Sequence, residues 1–371
     1  GMWCGMEKNE ICNRDMRLDT IRAIAITFVI AIHAFSWIGF YEEPITGEIY
    51  LVLSICRVAF TTCVPLFLLL SGYLRGGYKG DLKRYYFKII RVLLTYFFAG
   101  IVCQSFRYVI DYNDVKMKEI VLSFFSFTAS PYGWYIGMYL GLFLMMPFVC
   151  MLYDGLEKRQ RIVFLTSLII IVVTPSIFNN FNFNNEHWWN TVLGEQSLLV
   201  PEYWMCIYPI MYFCIGLWIR DMNIEKLNLK LLIILLVLFC CLFGTINYIK
   251  NWNTIFPWNN DTAYGGYQNL IVSFLIFLIC LSLKINLKSI GSNFIIWISK
   301  NSLGSYLVSY IADRIVYKIE MKYCSTLFIR VILLPISISA VLFISTAISA
   351  IIGFIVGRCE RSVSMRAFYY N

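Results

Sequence analysis

The sequence has few charged residues and few residues that interrupt helices. Only 14% of its 371 residues are Asp, Glu, Lys or Arg, whereas a soluble domain has about 25%. Nine prolines are spread over the whole chain. The low charged fraction excludes a soluble globular enzyme and a disordered chain. The scarcity of proline gives little support to the broken helices that are typical of many secondary transporters.

Histidine and paired cysteines are also scarce. The chain has two histidines, His33 and His187, and none of its 13 cysteines belongs to a Cys-x-x-Cys pair. Most of the cysteines lie within apolar runs, where they are expected to act as small hydrophobic side chains. This pattern argues against a disulfide framework and a zinc site, and we expect no metal and no bound cofactor.

Apolar residues, in contrast, are abundant: 59% of the residues are hydrophobic and 17% are aromatic. Apolar runs of about 20 residues, long enough to cross a bilayer, recur to the end of the chain. We therefore predict an all-α, polytopic integral membrane bundle of about ten transmembrane helices, surrounded by membrane lipid. The predicted spans lie near residues 20–40, 49–74, 87–107, 132–153, 161–178, 203–219, 229–249, 264–283, 293–317 and 325–356.

The distribution of basic residues predicts the orientation of these spans. Of the 31 Lys and Arg residues, 21 fall in the alternate connections that include both termini, and seven fall in the opposite set. Cytoplasmic loops are enriched in Lys and Arg, so both termini are predicted to be cytoplasmic. The expected organisation is a cytoplasmic segment at 1–19, a membrane domain at 20–357 and a cytoplasmic tail at 358–371. The net charge of +9 then reflects topology, and no nucleic-acid partner is expected.

His33 lies deep within the first predicted span. It is about thirteen residues inside a helix that starts near Thr20, which places it roughly 20 Å from the cytoplasmic edge of a core about 30 Å thick. An ionisable side chain at this depth is costly and by default indicates a functional site. The alternative is a neutral histidine that is satisfied by a hydroxyl or carbonyl group of a neighbouring helix.

Arg22 shares a helix face with His33. The two positions are separated by three turns, so their side chains project from nearly the same side of the helix about 16 Å apart. Asp19 lies one turn before Arg22 and can hold its guanidinium. This arrangement suits a long donor with phosphates at one end and a thioester at the other, which is the shape of acyl-coenzyme A. The alternative is an ion pair that only anchors the helix at the cytoplasmic surface.

The second predicted span contains a second buried cation, Arg57. It lies at a depth similar to that of His33 in an adjacent antiparallel helix. Arg57 would favour the neutral imidazole and stabilise a negatively charged intermediate, so both residues are predicted to be catalytic. The alternative is a structural arginine that is bonded to backbone carbonyl groups. Ser71 and Gly72, at the depth of Arg22, are predicted to approach the phosphates of the donor.

Aromatic residues gather at or beyond the predicted outer ends of the spans. They are Trp134, Tyr135, Trp188, Trp189, Trp252 and Trp258. Such residues are typical of an interfacial belt, and the alternative is a stacking platform for a sugar. Trp134 and Tyr135, at the start of the fourth span, are the candidate acceptor-side residues. Asp313 and Arg314, near the end of the ninth span, are predicted to form a local pair, and the alternative is that they line the entrance for the acceptor.

Several stretches of the sequence together carry a resemblance to a known family. A basic residue, ten further residues and a histidine occur as Arg22 and His33 in RLDTIRAIAITFVIAIHAF. The other stretches are RVAFTTCVPLFLLLSGYL, LKRYYFKIIRVLLTYFF, YGWYIGMYLGLFLMMP and ISKNSLGSYLVSY. In their order and spacing they resemble the acyltransferase 3 family of polytopic membrane acyltransferases, which modify bacterial cell-surface glycans.

The resemblance implies that the donor is a cytoplasmic acyl-coenzyme A, that Arg22 and His33 belong to the active site, and that the acceptor is presented on the outer face. It also implies a bacterial cytoplasmic membrane. The chain departs from the family at Ser309, where many members have histidine. We therefore expect His33 to provide any histidine chemistry.

The sequence thus predicts an enzyme that moves an acyl group, most simply acetyl, from acyl-coenzyme A to a hydroxyl of a surface polysaccharide or lipid-linked glycan. Two other classes of protein are compatible with the same residues. A transporter or flippase for an anionic or lipid-linked sugar could use the same buried cations as a binding site. A structural partner of a glycan-synthesis complex would need neither Arg22 nor His33.

Overall fold

The computed structural model describes residues 14–110, 116–184, 186, 197–257, 263–284 and 290–369, and it shows a helical membrane bundle. Within these ranges there is no strand, and two isolated bridges join Pro44 to Ile255 and Ile45 to Trp252. The α-helices are α1 Met16–Trp37, α2 Glu48–Phe60, α3 Cys63–Tyr73, α4 Leu82–Phe87, α5 Ile89–Ile110, α6 Met117–Phe125, α7 Trp134–Gly155, α8 Lys158–Phe178, α9 Tyr208–Arg220, α10 Leu229–Lys250, α11 Tyr267–Ser282, α12 Ile290–Tyr323 and α13 Leu327–Tyr369.

Eight helical segments of the described residues are long and apolar enough to cross a membrane. They are Met16–Trp37, Glu48–Tyr73, Leu82–Ile110, Trp134–Gly155, Lys158–Phe178, Glu202–Arg220, Leu229–Lys250 and Leu327–Glu360. The predicted eighth span corresponds to α11, which has only 16 residues. The predicted ninth span lies within the long but less apolar α12. The all-α membrane bundle is therefore confirmed, while the count of ten spans and the cytoplasmic termini stay predictions.

Some helices extend beyond the apolar runs that predicted them. Helix α1 begins at Met16 instead of residue 20, and α13 continues to Tyr369 through the segment that is predicted as a tail. The start of α1 is set by a polar cap, because the Asp15 side chain accepts a hydrogen bond from the Arg17 backbone N–H at 3.0 Å. The Arg17 guanidinium also donates to this carboxylate and lowers the pKa of Asp15.

The second predicted span is broken into α2 and α3. Pro65 lies in the first turn of α3, where its ring crowds the carbonyl group of Thr61 four residues earlier. The hydroxyl groups of Thr61 and Thr62 donate to the carbonyl groups of Val58 at 3.1 Å and Ala59 at 2.6 Å. These bonds satisfy backbone acceptors at the end of α2, so the interruption leaves few unmet hydrogen bonds within the membrane.

Helix α1 lies inside the bundle. It packs against α2, α3, α11, α12 and α13, and 61% of its apolar window is buried, compared with 22% for α10. In α10, apolar residues such as Ile234, Val237 and Leu238 are exposed. A helix of that kind presents its apolar surface to lipid, whereas α1 directs its polar residues into the interior of the protein.

Candidate active site

A cavity of about 510 Å³ lies within the bundle. Its size falls in the range of about 300–1,000 Å³ that is typical of small-molecule sites. Residues of α1, α3, α5, α7 and α12 line it, together with the segment that follows α3. Arg22 and Lys79 are its charged lining residues, and most of the others are apolar or aromatic. The cavity therefore combines a cationic region with a long apolar wall.

The predicted pair of Asp19 and Arg22 is present at the cationic region. Asp19 is only 1% exposed, and its carboxylate accepts hydrogen bonds from Arg22 at 3.1 Å, from Arg14 at 2.8 Å and from the Ser299 hydroxyl at 2.6 Å. Ser299 belongs to α12, so the carboxylate also joins two helices. Asp19 thus holds Arg22 in a fixed place beside the cavity.

A glycine-rich turn follows α3 at the same region. Arg75, Gly76 and Gly77 have φ angles of 57°, 58° and 74°, a conformation that favours glycine. Gly76 and Gly77 line the cavity next to Lys79. A Cβ atom at Gly76 would lie 2.5 Å from the Met146 sulfur, so the turn packs tightly against α7. This turn at Arg75–Gly77 was not predicted, although the run Arg-Gly-Gly-Tyr-Lys-Gly directly after the second span is typical of a turn.

Ser71 and Gly72 lie on different sides of α3. Ser71 lines the cavity, and its hydroxyl donates to the Phe67 carbonyl group at 2.9 Å. Gly72 instead faces α9, where an added Cβ atom would lie 2.0 Å from the Phe213 carbonyl oxygen and 3.0 Å from the Gly216 Cα. Small residues of this kind permit close packing of membrane helices. Of the two residues, Ser71 is therefore the one placed to contact a ligand.

The cavity follows the face of α1 that carries Arg22. Both Arg22 and Val29 line it, and His33 lies one turn beyond Val29, about 6 Å further along the helix axis. His33 is half-buried. Its ring stacks on Tyr132, with ring centroids 3.8 Å apart and an interplanar angle of 8°. The cavity thus runs along this face from Arg22 to Val29, and His33, which is not among the lining residues, lies one turn beyond it.

Tyr132 belongs to a polar network beside His33. Its hydroxyl donates to Asp313 Oδ2 at 2.8 Å and accepts a hydrogen bond from the Trp37 indole N–H at 3.0 Å. Asp313 is completely buried, and its Oδ1 atom has no hydrogen-bond partner among the described residues. The predicted pairing of Asp313 with Arg314 gives way to the contact with Tyr132, while Arg314 donates to Tyr310 at 3.0 Å. Tyr132 is the first residue of the predicted fourth span, but it was not among the site residues expected from the sequence.

Arg57 is buried in an aromatic environment. It is 2% exposed, and its Nε atom donates to the Tyr41 hydroxyl at 2.8 Å. Its guanidinium lies 4.6 Å from the ring centroid of Phe256. Cation–π contacts of this kind stabilise a cation away from water. Arg57 therefore contacts Tyr41 and Phe256, whereas the ring of His33 stacks on Tyr132.

The two candidate acceptor-side aromatics also lie in different places. Tyr135 lines the cavity and contacts the ring of Tyr306 at a centroid distance of 5.9 Å. Trp134 is 44% exposed and stacks on Tyr264. Trp252 is half exposed. The remaining aromatic candidates Trp188, Trp189 and Trp258, as well as His187, lie outside the described residues.

A second cavity of about 340 Å³ lies between α8, α9, α10 and α11. Its lining is formed by apolar and aromatic residues and Thr166, without an ionisable group. Within the described ranges there is also no group of three or more His, Cys, Asp or Glu residues that could hold a metal ion. Of these two cavities, the first is therefore the one that offers groups for binding a charged ligand.

Comparison with known proteins yields one match. A family model described as an acyltransferase domain matches residues 16–354, which is nearly the whole chain. No curated protein and no solved structure matches the chain. The matched range includes every residue that lines the larger cavity.

Proposed function

The chain belongs to the acyltransferase 3 family of membrane acyltransferases, and on this premise we propose that it transfers an acyl group from acyl-coenzyme A to a hydroxyl of a glycan. The acyl group is most simply acetyl. The acceptor is a cell-surface polysaccharide or a lipid-linked precursor, and the membrane is the bacterial cytoplasmic membrane. The observation that carries the proposal is the cavity that runs from Arg22 and Lys79 to the turn of α1 below His33.

The two regions of the cavity suit the two ends of acyl-coenzyme A. Arg22 and Lys79 would bind the phosphates, and the backbone of Gly76 and Gly77 can approach them closely because these residues have no side chains. The apolar and aromatic wall would enclose the uncharged arm. The thioester would then reach past Val29 toward His33. Fixing the donor in this way supplies much of the advantage of an enzyme over a reaction in solution.

At the inner end, His33 would act on the acceptor hydroxyl. As a general base it would take the hydroxyl proton while the oxygen attacks the thioester carbonyl, and the proton would then pass to the departing thiolate. Alternatively, the imidazole would accept the acyl group first and pass it to the hydroxyl. In both routes the products are an ester and coenzyme A. Arg57 would stabilise the negative charge that develops on the carbonyl oxygen.

The direct test uses membrane vesicles that contain the full chain, with labelled acetyl-coenzyme A added on the cytoplasmic side. We expect label to appear in the lipid-linked or surface glycan of the vesicles and to be absent when His33→Ala replaces the native protein. Transfer that persists in a folded His33→Ala protein would overturn the proposed mechanism. Movement of glycan across the vesicles without coenzyme A would instead identify a transporter.

A further inference from the structure

We propose that Asp313 is a positioning residue for the acyl transfer, because it fixes Tyr132 and Tyr132 in turn fixes the plane of the His33 ring. The inference rests on the proposed function of His33. Three contacts support it: the stack of His33 on Tyr132 at 3.8 Å, the hydrogen bond from Tyr132 to Asp313 at 2.8 Å and the hydrogen bond from Trp37 to Tyr132 at 3.0 Å.

The hydroxyl of Tyr132 is held from two sides. It donates to a carboxylate on α12 and accepts from an indole on α1. Because the donor and the acceptor belong to different helices, the phenol ring has one favoured place between them. The Trp37 ring is itself packed against Tyr317, with centroids 6.2 Å apart and planes 7° from parallel. Tyr132 therefore offers His33 a fixed surface.

Stacking positions His33 without occupying its nitrogen atoms. An orienting hydrogen bond would engage one of the two imidazole nitrogens, whereas Tyr132 covers a face of the ring. Within the described part of the chain, the His33 imidazole makes no hydrogen bond. Both nitrogens lie at the edge of the ring and stay available for the acceptor hydroxyl and the thioester. The arrangement thus fixes the direction of a base while leaving its reactive atoms free.

The Asp313 carboxyl group is costly to bury. It is completely buried, and only one of its oxygens is bonded to another described residue. A carboxyl group that is left partly unsatisfied inside a membrane protein destabilises the fold. A methyl-bearing side chain of similar size would avoid this cost. Glu320 on the same helix is also buried with one oxygen unbonded among the described residues, so the feature that distinguishes Asp313 is its hydrogen bond to Tyr132, whose ring stacks on His33.

Glu320 provides a matched control on the same helix. It lies two turns beyond Asp313, it is 7% exposed, and one of its oxygens also lacks a partner. Its other oxygen accepts a hydrogen bond from Ser337 at 2.6 Å. Glu320 therefore resembles Asp313 in burial and chemistry, but it is about 10 Å further along the helix.

The first experiment observes the stack itself. The full chain is labelled with 15N- and 13C-histidine in a His187→Gln background, so that His33 is the single histidine in the spectrum. Protons that lie over the face of an aromatic ring are shifted upfield, and we expect this shift for the ring protons of His33. Asp313→Leu and Tyr132→Phe should move these resonances toward their free values, Asp313→Asn should largely restore them, and Glu320→Leu should leave them unchanged.

The second experiment measures release of coenzyme A and acyl transfer from acetyl-coenzyme A. Asp313→Leu should lower kcat by about 100-fold, the order of loss that misplacement of a catalytic group by about 1 Å causes. The KM for acetyl-coenzyme A should stay within about twofold, because the phosphates of the donor are expected to bind near Arg22, at the other end of α1. Asp313→Asn should recover about tenfold of the lost kcat, since its side-chain oxygen can still accept the Tyr132 hydrogen bond.

The results separate this inference from the proposed function. Unchanged His33 resonances in Asp313→Leu would overturn the inference even if acyl transfer is confirmed. Displaced resonances together with undiminished kcat would also overturn it, because the position of the ring would then not matter to the reaction. If Asp313→Leu does not fold, the His33 resonances and kcat of Tyr132→Phe test the inference by the same criteria. If the native chain transfers no acyl group, the proposed function fails independently of the spectra.

Discussion

The two ends of α1 each meet a buried carboxylate, and the two carboxylates differ in how fully they are bonded. Asp19, near the start of α1, accepts hydrogen bonds from Arg14, Arg22 and Ser299. Asp313, which lies beside the far end of α1, receives one from Tyr132 and has an oxygen without a partner among the described residues. Both are almost completely excluded from the surface. Burial alone therefore does not explain the difference.

The difference teaches which end is suited to hold charge and which to react. A carboxylate with several donors is stabilised in its charged form, and it fixes its arginine partners. Arginine side chains that are fixed in this way are suited to a site that binds phosphates. A network that is only partly bonded retains capacity for a further partner, such as a substrate hydroxyl. The donor is therefore expected to bind at the start of α1, and the chemistry is expected at its far end.

The largest effect is expected at the reactive end. His33→Ala should lower acyl transfer by about 10²–10⁴-fold, the usual contribution of a general base, with little change in the KM for acetyl-coenzyme A. The matched control is His187→Ala, which changes the other histidine of the chain. Initial rates in vesicles that contain equal amounts of folded protein give the comparison. A normal kcat in the His33→Ala protein would show that His33 takes no part in the reaction.

Asp19→Asn should have the next largest effect, on stability. The substitution removes the charge of a buried carboxylate that Arg14 and Arg22 share, so the free energy of unfolding should fall by about 3 kcal/mol. Denaturation in detergent measures the loss. Asp15→Asn is the control, because this more exposed residue pairs with Arg17 on the same helix, and its loss of charge should cost less than about 1 kcal/mol. Equal losses of stability in the two variants would show that the contacts of Asp19 stabilise the protein no more than those of Asp15.

Arg22→Gln should weaken donor binding without slowing the chemical step. Loss of one charge-assisted contact to phosphate should raise the KM for acetyl-coenzyme A about tenfold, while kcat stays within about twofold. Added salt should reduce the difference in KM between the native protein and the variant, because salt screens the charge of Arg22. Arg17→Gln is the control on the same helix, since Arg17 does not line the cavity. A fall in kcat with an unchanged KM would place Arg22 at the reaction instead of at the donor phosphates.

Features that depend on a single helix were accessible from the sequence. Arg22 and His33 were expected on one face because the helical repeat brings residues eleven apart into register, and the cavity indeed runs along that face from Arg22 to Val29. The pair of Asp19 and Arg22 followed from the same repeat. The membrane bundle followed from the length and number of the apolar runs.

Features that depend on contacts between helices were not accessible. The stack of Tyr132 on His33 and its bond to Asp313 join residues that are about 100 and 180 positions apart in the chain. Hydropathy fixes the depth of a helix but not its rotation or its neighbours. For the same reason the sequence could predict the depth of Arg57 but not its contacts with Tyr41 and Phe256, and its proximity to His33 stays a prediction.

The smallest effect is expected for Ser71, at the binding end. Ser71→Ala should raise the KM for acetyl-coenzyme A by about threefold, since the hydroxyl gives up its bond to the Phe67 carbonyl group to reach a phosphate and the net gain is about 0.5–1.5 kcal/mol. Stability should hardly change, because the hydroxyl donates only to the carbonyl group of its own helix at Phe67. Ser167→Ala is the control, as Ser167 makes the same bond to its own helix outside the cavity. A KM that is unchanged in both variants would restrict the phosphate contacts to Arg22, Lys79 and the glycine-rich turn, and would leave the binding end with charge and backbone alone.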